Sequence, residues 1–143
     1  MLIVLDTNVL VCGLLNPFGA PGRLLDLALA GKVRLACNDR VLAEYSEVLA
    51  RPKLAIDQGR ARDVLGYIRL SSVRAAAPPL APGRPRCAPD ADDLAFLEVA
   101  LASGAAAIVT GNAGHFESVA AGEVPVLSAT EFLERWARQS EER

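Results

Sequence analysis

The chain opens on a short, unbroken aliphatic run, Leu2 to Leu5, which ends abruptly at an acid, Asp6. Branched apolar residues without polar alternation fit a strand covered on both faces, as in the middle of a parallel sheet. Parallel neighbours need crossover connections, and helical patterns alternate with such runs along most of the chain. After Asp6-Thr7-Asn8, residues 9–15 can begin a helix, and the turn-rich segment 16–22 leads to a second helix over 23–30, with Gly31 as its C-cap. Residues 33–36 form a second strand. Asn38 or Asp39 caps a helix over 40–50 that presents Val41, Leu42, Tyr45, Val48 and Leu49 on one face, and Arg51-Pro52 stops it. A helix over 57–71 uses Val64, Leu65 and Ile68, and 73–77 is a third strand. Proline density over 78–89 excludes helix and central strand and marks a loop. Asp92 or Asp93 opens a helix to about Ser103, closed by Gly104, before a fourth strand over 105–109. A fifth strand over 124–127 precedes the capping box Ser128-Ala-Thr-Glu131 and a helix to about Gln139. This alternation predicts a three-layer α/β/α fold around a central, mostly parallel five-stranded sheet. Residues 1–143 form a single domain, with the last few as a frayed tail.

Composition narrows the class. A chain of 143 residues can bury most of its apolar surface in one core, and with 52% hydrophobic but only 5% aromatic residues that core is aliphatic. No apolar stretch reaches the roughly eighteen residues that span a bilayer, and the N-terminus lacks a basic, cleavable leader. The expectation is a cytoplasmic protein with no membrane association. Cys12, Cys37 and Cys87 have no paired spacing, which argues against a disulfide framework and against a zinc site. The net charge of −2 excludes a uniformly basic nucleic-acid binder but allows a local basic patch.

The chemistry concentrates in four places. Asp6 stands at the carboxyl end of the first strand, where open α/β sheets bind ligands, and a carboxylate there is costly to desolvate without a cation. Its other reading is a helix N-cap, with Thr7-Asn8 turning the chain. Glu44 lies one turn into its helix, off the apolar stripe, while Glu47 sits on an exposed face; both also fit ordinary solvated glutamates. Asp90, Asp92 and Asp93 exceed what a helix cap requires. Thr110-Gly111-Asn112 follows the fourth strand and offers a hydroxyl and an amide to the same crevice. Two carboxylates about 4 Å apart repel by roughly 4 kcal/mol at an effective dielectric of about 20, so convergent acids call for a cation. Oxygen-only ligation suits Mg²⁺ or Mn²⁺, and such ions activate water and support in-line phosphoryl displacement. The only histidine, His115, reads as a surface-loop residue.

In order and spacing, Leu5-Asp6-Thr7-Asn8-Val9-Leu10-Val11, Glu44 within Leu42-Ala-Glu44-Tyr45, Pro89-Asp90-Ala-Asp92-Asp93 with Phe96, and Val109-Thr110-Gly111-Asn112 resemble a PIN domain. The similarity covers roughly residues 1–136 and is closest to the VapC-type ribonucleases of type II toxin–antitoxin systems. The resemblance implies Mg²⁺- or Mn²⁺-dependent cleavage of RNA, a homodimer and a small antitoxin protein as partner. Carried over by position, it makes Asp6, Glu44 and Asp93 the catalytic metal ligands, with Asp92 or Asp90 able to share the last role. Thr7, Asn8 and Thr110 become supporting residues. Asn112 departs from the pattern, since many members carry a fourth aspartate there, and a neutral amide weakens the case for a second metal.

For RNA contacts the candidates are Arg51, Lys53, Arg60, Arg62, Arg84 and Arg86, because phosphate contacts supply most of the affinity; each also fits a merely solvating role. Trp136 fits a core or dimer anchor better than a base-stacking platform. Two other readings compete: a non-catalytic PIN-like module that binds RNA or protein with a degraded metal site, and a phosphatase or phosphotransferase with Asp6 as nucleophile. Asn8 stands where that last chemistry usually wants a second aspartate. No glycine-rich dinucleotide fingerprint follows the first strand.

Overall fold

The computed structural model describes residues 1–75, 91–111 and 124–141, with side chains described from residue 95 onward in the second stretch. Five parallel strands form one sheet in the order β3-β2-β1-β4-β5, made of β1 (Leu2–Leu5), β2 (Arg34–Cys37), β3 (Val73–Arg74), β4 (Ala107–Val109) and β5 (Val126–Leu127). Six helices are described: α1 (Thr7–Leu15), α2 (Ala20–Leu29), α3 (Asp39–Leu49), α4 (Gln58–Ser71), α5 (Ala91–Ser103) and α6 (Ala129–Glu141). The expected three-layer α/β architecture is what the chain adopts, and its described strand pairs are all parallel.

β1 is central because its sequence suits no other place. Ile3, Val4 and Leu5 are at most 1% exposed, and their neighbours Ala36, Cys37, Ile108 and Val109 are fully buried. Each such aliphatic side chain contributes about 1.5–3 kcal/mol on leaving water. The edge strands β3 and β5 are only two residues long, which limits the unpaired backbone they offer to other chains. α5 packs against β1, β2 and β4, α3 and α4 against β2, and α6 against β5 and α2.

Local signals placed most helix ends. Gly31 and Gly104 follow α2 and α5 with φ of 76° and 68°, a left-handed turn that glycine adopts without strain. Ser128 and Glu131 form the reciprocal capping box: the Ser128 N–H donates to Glu131 Oε1 at 2.9 Å, and the Glu131 N–H donates to Ser128 Oγ at 3.1 Å. Two helix starts differ most from the sequence reading. α1 begins at Thr7, immediately after the strand, and α2 begins at Ala20. Pro21 lies in the first turn of α2, where its missing N–H costs nothing, so the apparent loop is partly helix. The strands run slightly off the expected limits, with β2 shifted one residue on and β4 and β5 starting two residues later. The proline-rich 78–89 segment lies outside the described residues.

Candidate functional site

The order β3-β2-β1-β4-β5 reverses direction at β1, so the crevice beyond the carboxyl ends of β1 and β4 is the sheet's switch point, where α/β folds bind ligands. Asp6 and Thr110 are the first residues past those two ends. The Asp6 N–H donates to the carbonyl of Val109 at 2.9 Å, which extends the ladder one step and locks the acid beside β4. Asp6 occupies the N-cap position of α1, yet its side chain makes no capping bond. Instead Oδ2 accepts the Thr110 hydroxyl at 2.7 Å, with Asp6 7% and Thr110 1% exposed. Asp6 thus holds the N-cap position without capping, and its carboxylate is tied to the residue that follows β4.

Thr7, next in the chain and 5% exposed, turns to the other side and donates to Oε2 of Glu44 at 2.5 Å. Glu44 gets there through α3, whose start is fixed by Asn38 Oδ1 accepting the Val41 N–H at 2.9 Å. The helix buries Val41, Leu42, Tyr45 and Leu49, which leaves Glu44 half-buried at the margin of that face. Tyr45 is fully buried, donates its hydroxyl to the carbonyl of Leu5, and sets its ring 6.2 Å from that of Phe96 on α5. Burial, followed by the charges of Cys37, Asp6 and Glu44, pushes the Tyr45 phenol well above the usual tyrosine range, so it remains a protonated donor.

α5 is buried nearly all round over Ala95–Ala100, and one of these residues is an acid. Glu98, 5% exposed, receives a 3.0 Å charge-assisted bond from Arg40 in the first turn of α3. Asp92 and Asp93 lie in the first turn of the same helix, their side chains outside the described residues, as are Asp90 and Asn112. Among the described residues no group of three or more His, Cys, Asp or Glu is placed to hold a metal ion. Asp6 and Glu44 supply two hard oxygen donors, and their donor chemistry fits Mg²⁺ or Mn²⁺.

A family model described as the PIN domain matches residues 2–114. The chain belongs to the PIN-domain family. That match takes in β1 through β4 and every site position from Asp6 to Asn112, and the PIN domain is a nuclease-type fold. An uncharacterized protein of Methanocaldococcus jannaschii is 33% identical over 111 residues, covering 77% of this chain and 70% of its own. No solved structure matches the chain.

The remaining candidates distribute unevenly over this PIN domain. Asn8 is exposed beside its buried neighbours. Arg51 is engaged with Glu47 one turn back, at 2.9 Å to Oε2 and 3.1 Å to Oε1. Lys53, Arg60 and Arg62 are exposed, and Arg84, Arg86 and His115 lie outside the described residues. Trp136 is half-buried and packs against the core. Cys12 and Cys37 are free thiols; burial pushes the Cys37 thiol up despite a 2.9 Å contact with Ser72 Oγ. No helix among the described residues is long and apolar enough to cross a membrane.

Two features escaped the sequence reading. Tyr45 was visible only as one member of an apolar stripe, although a buried tyrosine hydroxyl requires an acceptor and so marks a polar tie. Glu98 was an acid inside an otherwise apolar helix, a signal of a buried ion pair whose partner the sequence did not name.

Proposed function

We propose that this PIN domain is a metal-dependent endoribonuclease, holding Mg²⁺ or Mn²⁺ with Asp6, Glu44 and Asp93 and with Asp92 or Asp90 close by. The observation that carries the reading is the Asp6 carboxylate, buried at the sheet's switch point and tied to Thr110, with Glu44 drawn to the adjacent Thr7. When bound, such an ion activates water and stabilises the oxygens of an in-line phosphoryl displacement. The chain's own part is to fix the ligands. Thr110 and Thr7 each give one hydrogen bond to a carboxylate, which orients it. Lys53, Arg84 and Arg86, with Arg51 where it exchanges Glu47 for phosphate, are the proposed RNA contacts. We further assign the protein to the VapC-type toxins, acting in the cytoplasm as a homodimer restrained by a small antitoxin protein.

Purified protein incubated with RNA and Mn²⁺ is expected to cleave it and to lose that activity in EDTA. Asp6→Asn should abolish cleavage while leaving the circular dichroism spectrum unchanged; cleavage that survives the substitution refutes the site. For the toxin role, expression should arrest growth and Asp6→Asn should relieve the arrest. Asn112 in place of an acid favours the non-catalytic RNA- or protein-binding module as the second reading, and RNA binding without cleavage in any divalent ion would establish it.

A further inference from the structure

Tyr45 stands where the three acid-bearing segments meet. Its hydroxyl donates to the carbonyl of Leu5, the peptide that leads into Asp6. It directly follows Glu44 in α3, and its ring lies 6.2 Å from Phe96, three residues beyond Asp93 on α5. The side chain is 0% exposed, so all three ties are made inside the core.

We propose that Tyr45 is a positioning residue, setting Asp6, Glu44 and the start of α5 at the mutual spacing that a divalent cation requires. The inference rests on the metal-nuclease reading above. Metal–oxygen distances tolerate about 0.2 Å of error, so ligands borne on three separate elements need a rigid common reference. The pairing of β1 with β2 runs through Ile3 and Leu35, which places the Leu5 carbonyl beyond that register. The Tyr45 bond carries the tie onward to the end of β1, one peptide from the acid. A leucine would fill the same stripe, as Leu42 and Leu49 do, but it would leave the Leu5 carbonyl without this donor. The phenol therefore adds orientation to what is otherwise a packing position.

The test is calorimetric titration of the full chain with Mn²⁺, alongside circular dichroism and thermal denaturation. Tyr45→Phe keeps the ring and deletes the hydroxyl; it is expected to remain folded and to bind Mn²⁺ about tenfold more weakly, at the low end for groups supporting a metal ligand. Tyr67→Phe, on α4, should bind like the wild type. Unchanged Mn²⁺ affinity in Tyr45→Phe overturns the proposal while leaving the metal site standing, provided that Asp6→Asn abolishes binding. A wild type that binds no Mn²⁺ overturns both. If Tyr45→Phe does not fold, the Tyr67→Phe chain retains Tyr45 as its sole tyrosine. Mn²⁺ should then produce a saturable difference band in its phenol absorption, with the calorimetric Kd, and a flat difference spectrum overturns the proposal.

Discussion

Arg40 meets Glu98 across 3.0 Å, a guanidinium whose side chain is 51% exposed against a carboxylate side chain that is only 4% exposed. The pair joins the first turn of α3 to the middle of α5, the helices that carry Glu44 and Asp93. A carboxylate so far from water depends on its partner more than the partner depends on it. Arg40→Ala should therefore destabilise the fold by about 1–3 kcal/mol, because it takes a charge-assisted bond from a buried carboxylate. Glu98→Gln removes the charge and keeps the shape, so it should cost less. Urea denaturation ranks the two, and a larger loss in Glu98→Gln would refute the argument.

Thr110→Val and Thr7→Val each delete one hydroxyl donor at nearly constant volume. Thr110→Val should cost about 1–3 kcal/mol, since its acceptor is a buried carboxylate. Each variant should weaken Mn²⁺ binding by roughly tenfold while preserving the circular dichroism spectrum. Full wild-type affinity in both would show that these hydroxyls do not orient the acids.

Glu44 and Glu47 lie on one helix in unlike settings, the first held by Thr7 and the second paired with Arg51 on the surface. Glu44→Gln should abolish metal-dependent cleavage. Glu47→Gln should leave cleavage intact and change stability by no more than about 0.5 kcal/mol. Equal effects of the two on RNA cleavage would remove Glu44 from the site.

The capping box of α6 has a pH signature. Hydrogen bonds from the Ser128 backbone and hydroxyl hold the Glu131 carboxyl below the usual glutamate range. A carboxyl with a depressed folded-state pKa stabilises the fold above its unfolded value and loses that contribution as pH falls through the folded one. The gap in thermal midpoint between wild type and Glu131→Gln should thus be present at neutral pH and close in acid. Ser128→Ala should cost about 1 kcal/mol at neutral pH. A gap that widens in acid would contradict the sign.

The legible parts of this chain were those whose causes are local. An unbroken aliphatic run specified a doubly covered strand at Leu2–Leu5, and Gly31, Gly104 and the Ser128–Glu131 box marked helix ends by their own chemistry. The start of α2 was hidden because Gly22 looked like a turn residue. Its real constraint is a close backbone approach within the preceding turn: a Cβ there would meet the Pro17 carbonyl oxygen at 2.4 Å. Within the site, Asp6, Glu44 and Thr110 were readable as polar groups at strand and helix ends. Their pairing was not, since the Thr7–Glu44 and Asp6–Thr110 bonds depend on strand order and not on spacing along the chain. Arg40 and Glu98 stand 58 positions apart, and no periodicity links them.

The partnership of β1 with β4 also orders events in time. Asp6 and Thr110 are separated by 104 positions, and Asp6 takes its backbone acceptor from Val109. A nascent chain that has emerged only through α4 already carries Asp6, Thr7, Glu44 and Tyr45, but has no strand on which to seat the first of them. The crevice closes only after β4 has left the ribosome and inserted beside a strand made about a hundred residues earlier. Synthesis interrupted anywhere before that point releases a fragment in which Asp6 lacks both the Val109 carbonyl and the Thr110 hydroxyl.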